Sequence, residues 1–481
     1  MYKNLLIFRI VLEKGSCCKM KCKKILAVAV AGAMCAAALT GCSGSGESSA
    51  ASTPTSKDAA SASGTSAGAV PTDKNISLSM FQFKVEAKDA FQKVIDAYQQ
   101  KHPNVKITME TVGGGSDYGA ALKTKMQSDP PAIFNIGGPQ DVKDWSSKLE
   151  DLSDQSWVSH LPADSLSDVK QGSKVLGMPF DLEGYGIVIN KKMFEDAGVS
   201  YDSMLTYDGM KKGFDTLKDK IAKGEMKDKY PQLEAVMEYP AKETWVIGDH
   251  DINAALTQNF KSATDAFNAK EIPFKAADAY KKMIDFQAGY TSNANDKGKL
   301  NSIDYSTSLE GGLAIERVAA IEQGNWIAPS VTNVDANVLQ KLDLLPFPIP
   351  GYSEGTWPVG VPEYWAVNKD VSADQKVVAK DFLNFMYQSD EGKQIIINDA
   401  KFAVAFDNYG DLKPSDPLNQ RVMRAVQDKK TMPGWVYSGA PATWTQKVAG
   451  ANVQKYLSGE ETWDQVVKNC KDQWKSMRAS S

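Results

Sequence analysis

From Ile76 the chain alternates apolar and polar residues, with Ile76, Leu78 and Met80 on one side, and then runs into Phe81-Gln82-Phe83. A period of two predicts a strand. From Ala87 to Lys101 the period lengthens, and Ala87, Phe91, Val94, Ile95 and Tyr98 fall on one face of a helix. His102-Pro103 ends that helix, because the residue before a proline avoids the helical region. Val105, Ile107 and Met109 then alternate again. Strand, helix, strand in this order predicts a parallel sheet. The pattern next predicts a helix over 118–127, stopped by Pro130-Pro131, and a short buried strand over 132–136 that ends at Gly137-Gly138. Ligands of such sheets sit beyond the carboxyl ends of the strands. Residues 82–86 and 137–140 are therefore expected to face one crevice.

Ahead of this body the pattern differs. Lys21, Lys23 and Lys24 precede an uncharged apolar run of 15 residues, Ile25 to Leu39. A basic start, a short apolar stretch and small residues before a cut describe a secretory signal. A membrane span would need about 20 apolar residues. Leu39-Thr40-Gly41-Cys42 resembles the bacterial lipobox, in which the cysteine is lipidated and becomes the mature N-terminus. The signal is complete from Met20 onward, so translation is expected to start there and residues 1–41 to be removed. From Ser43 to Asn75 the chain is Ser, Ala, Gly and Thr with scattered charge, and it has almost no large apolar residue. Such a stretch cannot bury enough surface to offset the entropy of ordering. Residues 42–75 therefore read as a lipid-anchored flexible tether with an r.m.s. reach of roughly 30 Å, and residues 76–481 as the folded part.

Charge and cysteines narrow the partners. The chain has 55 Lys and Arg against 59 Asp and Glu; seven of those bases and one acid, Glu13, precede Cys42, so the mature chain keeps 48 against 58 and a net charge of −10. Nucleic-acid binding needs clustered positive charge, and no nucleic-acid partner is expected. No later run is apolar enough to span a membrane, which leaves the lipid as the attachment. Five of the six cysteines lie at or before Cys42, so no internal disulfide is possible; Cys470 reads as a buried or half-buried structural thiol. His102, His160 and His250 show no paired spacing, and neither metal nor cofactor is expected. Asp249-His250-Asp251 reads as a solvated loop. Gly113-Gly114-Gly115 lacks the Gly-Lys-Ser/Thr of a phosphate loop and reads as a flexible loop before a helix.

A more specific signal lies further on. Gly177-Met178-Pro179-Phe180-Asp181, then Gly186-Ile187-Val188-Ile189-Asn190-Lys191-Lys192-Met193-Phe194 and Ala197-Gly198, resemble the crossing segment of the family 1 bacterial extracellular solute-binding proteins. Ala319 to Trp326, Leu344 to Pro350, Val359 to Lys369 and the helix Ala379 to Gln394 resemble further elements of that family, in the family's order. The chain departs from it at Ile189, where Tyr is common. The resemblance implies an α/β, two-lobed, periplasmic-binding-protein-like fold with crossing hinge strands and a ligand cleft between the lobes. Lobe one would comprise about 76–182 and 363–400, and lobe two about 183–362 and 401–481. It also implies a function: a monomer captures a mono- or oligosaccharide by hinge closure and delivers it to the membrane subunits of an ABC importer, whose ATPase is a separate chain. No catalysis is implied. Another small polar solute, a polyamine or phosphodiester, is the alternative ligand, because one fold serves many solutes. A surface adhesin is a weaker alternative, since no repeats are present.

Sugars present hydroxyls and weakly apolar C–H faces, so their sites combine aromatic planes with carboxylates and amides. Ten Trp and 17 Tyr supply the planes. Trp326, led in by Gly324-Asn325 at a helix end, is the first candidate for stacking; a packed interface Trp is the alternative. Tyr364 and Trp365 are adjacent on a strand, so one should face the cleft and the other the core. Trp245 lies in an irregular stretch, and Tyr185 on the crossing segment. Gln82, Phe83, Glu86, Asp117, Gly138, Asp181, Glu183 and Asn325 complete the candidate ligand-binding set. Asp181 and Glu183 also raise a glycosidase reading, which needs an acid paired with a nucleophile or base. On one face of a strand their Cβ atoms would be roughly 7 Å apart. Such pairs usually come from different strands, and hydroxyl binding is the preferred role.

Overall fold

The computed structural model describes residues 68–113, 116–162, 164–352 and 354–480. The signal peptide, the Met20 start, Cys42 and residues 42–67 lie outside the described residues, as do Gly114 and Gly115. Within residues 68–75 the chain already touches the folded part. Val70 packs on the core, and Asn104 Nδ2 donates to Pro71 O at 2.7 Å and Lys74 O at 2.8 Å. The tether as read from composition therefore extends several residues too far: Asn104 supplies partners that composition does not reveal.

The opening alternation forms the strand Ile76–Gln82, whose even side is buried. Helix Lys88–Lys101 buries Phe91, Val94, Ile95 and Tyr98 against it. Strand Val105–Thr111 pairs parallel with Ile76–Gln82. Helix Tyr118–Ser128 starts where Asp117 accepts a hydrogen bond from Ala120 N at 3.0 Å. Strand Ile133–Ile136 pairs parallel on the other side of Ile76–Gln82. Tyr364–Val367 and Met178–Pro179 add antiparallel to complete a five-stranded sheet.

A second sheet of six strands is built around Glu183–Asn190, buried along its whole length. Val318–Gly324 runs antiparallel on one side, with Ala235–Glu238 beyond it. On the other side Trp357–Gly360 pairs with its start and Leu342–Leu345 with its end. Each sheet carries its own hydrophobic core. Cys470 is buried in the second, and burial pushes its thiol up to about 12.

The chain crosses between the sheets at 180–182 and 361–363. The third crossing lies later than the expected position 401, because Phe402, Phe406 and Tyr409 still pack in the first core. Leu418 and Val422 are the residues that enter the second. One side chain ties the first crossing to the helix Pro417–Gln427 that follows the third. Asn325 Oδ1 accepts from Gly184 N at 2.9 Å, while its Nδ2 donates to Leu182 O at 3.2 Å and Asn419 Oδ1 at 2.6 Å. The helix expected through Ala379–Gln394 is two helices, Ala373–Gln388 and Asp390–Asn398. Ser389 breaks it and caps the second by accepting from Gly392 N. Among the described residues no helix is long and apolar enough to cross a membrane.

Candidate functional site

A cavity of about 370 Å³ lies between the two sheets. Phe83 and Tyr118 line it from the first lobe, and Trp245, Trp326, Trp435 and Tyr437 from the second. It shares Glu86, Lys242, Glu243 and Tyr305 with an outer, more polar chamber of about 770 Å³. The lobes touch across this space. Tyr305 Oη donates to Glu86 Oε1 at 2.7 Å, Lys447 Nζ lies 3.5 Å from Asp117 Oδ2, and Arg478 Nη1 donates to Gln140 Oε1 at 3.2 Å.

Local chemistry aims these side chains. Gln82 Oε1 accepts from Lys84 N at 2.6 Å and its Nε2 donates to Thr111 Oγ1 at 2.6 Å, which turns the chain as it leaves the strand. Lys84 thereby enters the cavity wall and forms a buried ion pair with Glu183. Burial opposes the ammonium charge, but Glu183, Asp181 and Glu86 outweigh it and hold the Lys84 pKa above its ordinary value. Glu243 orients two rings: its carboxylate accepts from Trp245 Nε1 at 3.1 Å and from Tyr305 N at 3.2 Å.

The second-lobe wall uses two wide, π-helical turns, Val246–His250 and Trp444–Gly450. They pack closely because Gly248 has no side chain; a Cβ there would lie 2.4 Å from Thr445 O. Gln446 Nε2 then donates to Asp249 Oδ2 at 2.9 Å. Asp249-His250-Asp251 is thus no solvated loop, since Asp249 and His250 are buried in the first of these turns and Asp251 at the start of the helix Asp251–Leu256 that follows. Burial lowers His250 to about 4 and raises Asp249 to about 6 and Asp251 to about 8.

Of the sequence candidates, Phe83, Glu86, Asp117, Glu183, Trp245 and Trp326 line the cavity together. Trp326 does so from the turn between strand Val318–Gly324 and helix Ala328–Leu339. It is only 8 % exposed, belongs to the second core, and donates from Nε1 to Gln323 Oε1 at 2.7 Å. Gln82, Tyr185 and Asn325 stand behind the wall; the Tyr185 ring packs 4.5 Å from that of His250, and its hydroxyl donates to Gly434 O. Asp181 is buried beside Glu183, and burial followed by the Glu183 charge raises its pKa well above the carboxylate range. The pair therefore does not face one open space, as a glycosidase pair would. Gly138 and Gln140 meet the second lobe instead of lining the crevice; a Cβ on Gly138 would lie 2.3 Å from Ser438 Oγ.

Neither Tyr364 nor Trp365 faces the cleft. Both side chains are buried in the first core, so both faces of their strand are covered. Tyr364 Oη donates to Ser165 O at 3.1 Å and Trp365 Nε1 to Tyr387 Oη at 3.0 Å. Lys84 lines the cavity from the stretch 82–86 expected to face the crevice, although it was not among the candidate contacts; Tyr118, Asp141, Glu363, Trp435 and Tyr437 line it without having stood out in the sequence. Glu363, inside the second crossing, was within a quoted motif, and its place between crossing strands is the signal that could have found it.

The model of the bacterial extracellular solute-binding protein family matches residues 84–393. The chain belongs to that family. A search of curated protein sequences gives no match. Among solved structures, a chitin oligosaccharide binding protein is 18 % identical with a TM-score of 0.67, over 84 % of this chain and 99 % of that one. A sugar transporter component from Bacillus licheniformis in complex with stachyose is 20 % identical, TM-score 0.64, over 83 % of this chain and 100 % of that one. The solute-binding protein RafE in complex with raffinose is 16 % identical, TM-score 0.64, over 84 % and 99 %. At these identities the likeness is one of fold: the two-lobed α/β architecture of solute-binding proteins.

Proposed function

We propose that this solute-binding protein captures a mono- or oligosaccharide between its lobes and delivers it to the membrane subunits of an ABC importer with a separate ATPase. It acts as a monomer held at the extracytoplasmic face of the cell membrane by lipid on Cys42, and it catalyses nothing. The observation that carries the reading is the interlobe cavity with Trp245, Trp326 and Trp435 in its wall and carboxylates between them. Aromatic planes suit the C–H faces of a sugar, and carboxylates held by neighbours accept from its hydroxyls. The cavity volume of about 370 Å³ falls within the range of small-molecule sites. The outer chamber leaves room for further sugar units. The chitin oligosaccharide, stachyose and raffinose named for the similar structures support the same ligand class. Phe83, Glu86, Asp117, Glu183, Trp245 and Trp326 are the proposed contacts, joined by Tyr118, Trp435 and Tyr437. Against glycoside hydrolysis, Glu183 is engaged by Lys84, and Asp181 is buried and does not line the cavity.

A thermal-shift screen over sugars, polyamines and phosphodiesters tests this. A ligand that binds only the folded state adds about 2.7 kcal/mol of stability at a hundredfold excess over Kd. Sugars should raise the melting temperature. A shift with a polyamine or phosphodiester and with no sugar would reject the carbohydrate reading.

A further inference from the structure

The cavity wall is unbalanced in charge. Seven carboxylates line it against three lysines, Lys84, Lys242 and Lys447. Each lysine already has an acid: Lys84 pairs with Glu183, Lys447 with Asp117 at 3.5 Å, and Lys242 with Asp304 at 3.2 Å. Tyr305 holds Glu86, Glu243 holds the Trp245 indole, and Gln446 holds Asp249. Asp141 and Glu363 are left over. Among the described residues Asp141 Oδ2 accepts from Gly137 N alone, at 2.8 Å. Glu363 Oε2 is buried and has no hydrogen-bond partner among the described residues.

These two carboxyls converge. A Cβ placed on Gly137 would lie 3.3 Å from Asp141 Oδ2 and 3.6 Å from Glu363 Oε1. Both line the inner cavity and neither lines the outer chamber, with Tyr118 and Tyr437 in the same wall. Burial raises both pKa values, and the Asp141 charge raises that of Glu363 further. Both side chains are partly buried, and the Lys84 and Lys123 charges offset only part of the burial; a buried carboxyl oxygen without a partner is costly, and a ligand that brings a cation relieves the cost. Aromatic rings beside the carboxyls favour the same kind of group.

We propose that the sugar this protein binds is an amino sugar whose protonated amino substituent reaches Asp141 and Glu363 at the inner end of the cavity. The proposal rests on the carbohydrate reading and names the ligand class within it. The ammonium donates to both carboxyls and supplies the counter-charge that their own neighbours leave incomplete. The remaining ring hydroxyls meet the paired carboxylates, and the C–H faces meet the indoles.

The test titrates the full-length protein calorimetrically with a panel of amino-sugar oligomers, each paired with its N-acetylated counterpart, and with spermidine. Acetylation removes the charge and keeps the ring. The amine form should bind about tenfold or more tighter than its acetylated partner, the loss expected when one side of a buried charge pair is removed. Glu363→Gln and Asp141→Asn should each reduce that preference while the variants melt as cooperatively as wild type. Equal or tighter binding of the acetylated or other neutral sugars overturns the proposal and leaves the carbohydrate reading standing. A preference that survives in both variants, or silence from every amine-bearing sugar, also overturns it. Binding of spermidine alone overturns both readings.

Discussion

Two tryptophans in one wall should respond differently to truncation. Trp326 is 8 % exposed, its ring lies 5.0 Å from His250 and 6.0 Å from Tyr185, and its N–H is bound by buried Gln323. Trp326→Ala removes a core side chain, which costs about 3–5 kcal/mol, and it leaves Gln323 Oε1 without a donor. Trp245 is half-buried, with its ring edge toward His250 at 5.2 Å and Tyr305 at 5.6 Å. Trp245→Ala therefore costs roughly 1.5–2.5 kcal/mol of stability, about half of what truncating a fully buried Trp costs. A ring that stacks on a sugar contributes about 1–3 kcal/mol, by analogy with bases on aromatics, so Trp245→Ala should weaken binding roughly 5- to 150-fold. Urea denaturation without ligand, alongside calorimetric affinity, separates the two effects. If Trp326→Ala unfolds like wild type while Trp245→Ala keeps full affinity, the assignment of planes in this wall is wrong.

Three further perturbations probe the frame of the site. Lys84→Met strands the buried Glu183 charge and should cost about 3–5 kcal/mol by denaturation; the double replacement with Glu183→Met should recover much of it, and a single-mutant cost below about 1 kcal/mol would contradict the pair. Asp251, bound by Tyr239 and by Gln287 at 3.0 Å, is raised to about 8, so the folded state keeps a proton that the unfolded state has lost. That stability is present at low pH and is lost as pH rises towards 8. His250, lowered to about 4, acts with the opposite sign up to its unfolded value near 6.5, which leaves the net fall above that pH. The slope from Asp251 is about 1.4 kcal/mol per pH unit; Asp251→Asn should flatten it between those pH values, and an unchanged slope would refute the assignment. Gly138→Val pushes a side chain into Ser438, so the lobes should stand further apart by solution scattering. Affinity would then fall about tenfold when only a tenth of the molecules can close; an unchanged Kd would contradict the lobe contact.

Periodicity made the first lobe legible. Ile76, Leu78 and Met80 mark the strand Ile76–Gln82, and Phe91, Val94 and Tyr98 mark the face that helix Lys88–Lys101 buries. The cavity wall was legible where aromatic or acidic residues stand beside the strand ends and crossings, as at Phe83, Glu86 and Glu183. It was not legible for Asp141 and Glu363, whose meeting depends on segments joined only by the fold. The alternation rule failed at Tyr364 and Trp365 because it assumes one solvated face, and that strand is covered on both. Trp326 was found by its Gly-Asn lead-in, but its share of the core depends on Tyr185, His250 and Gln323 arriving from three segments. The buried state of Asp249-His250-Asp251 comes from two π-helical turns packed at Gly248, a contact between residues far apart in sequence.

The most direct test of the carbohydrate claim is a calorimetric titration of wild type and Trp245→Ala with mono- and oligosaccharides, both aminated and neutral. The account predicts saturable one-to-one binding of at least one sugar by wild type, weakened by Trp245→Ala with a smaller loss of apo stability than Trp326→Ala causes. Binding of a polyamine or phosphodiester with no response to any sugar would contradict it.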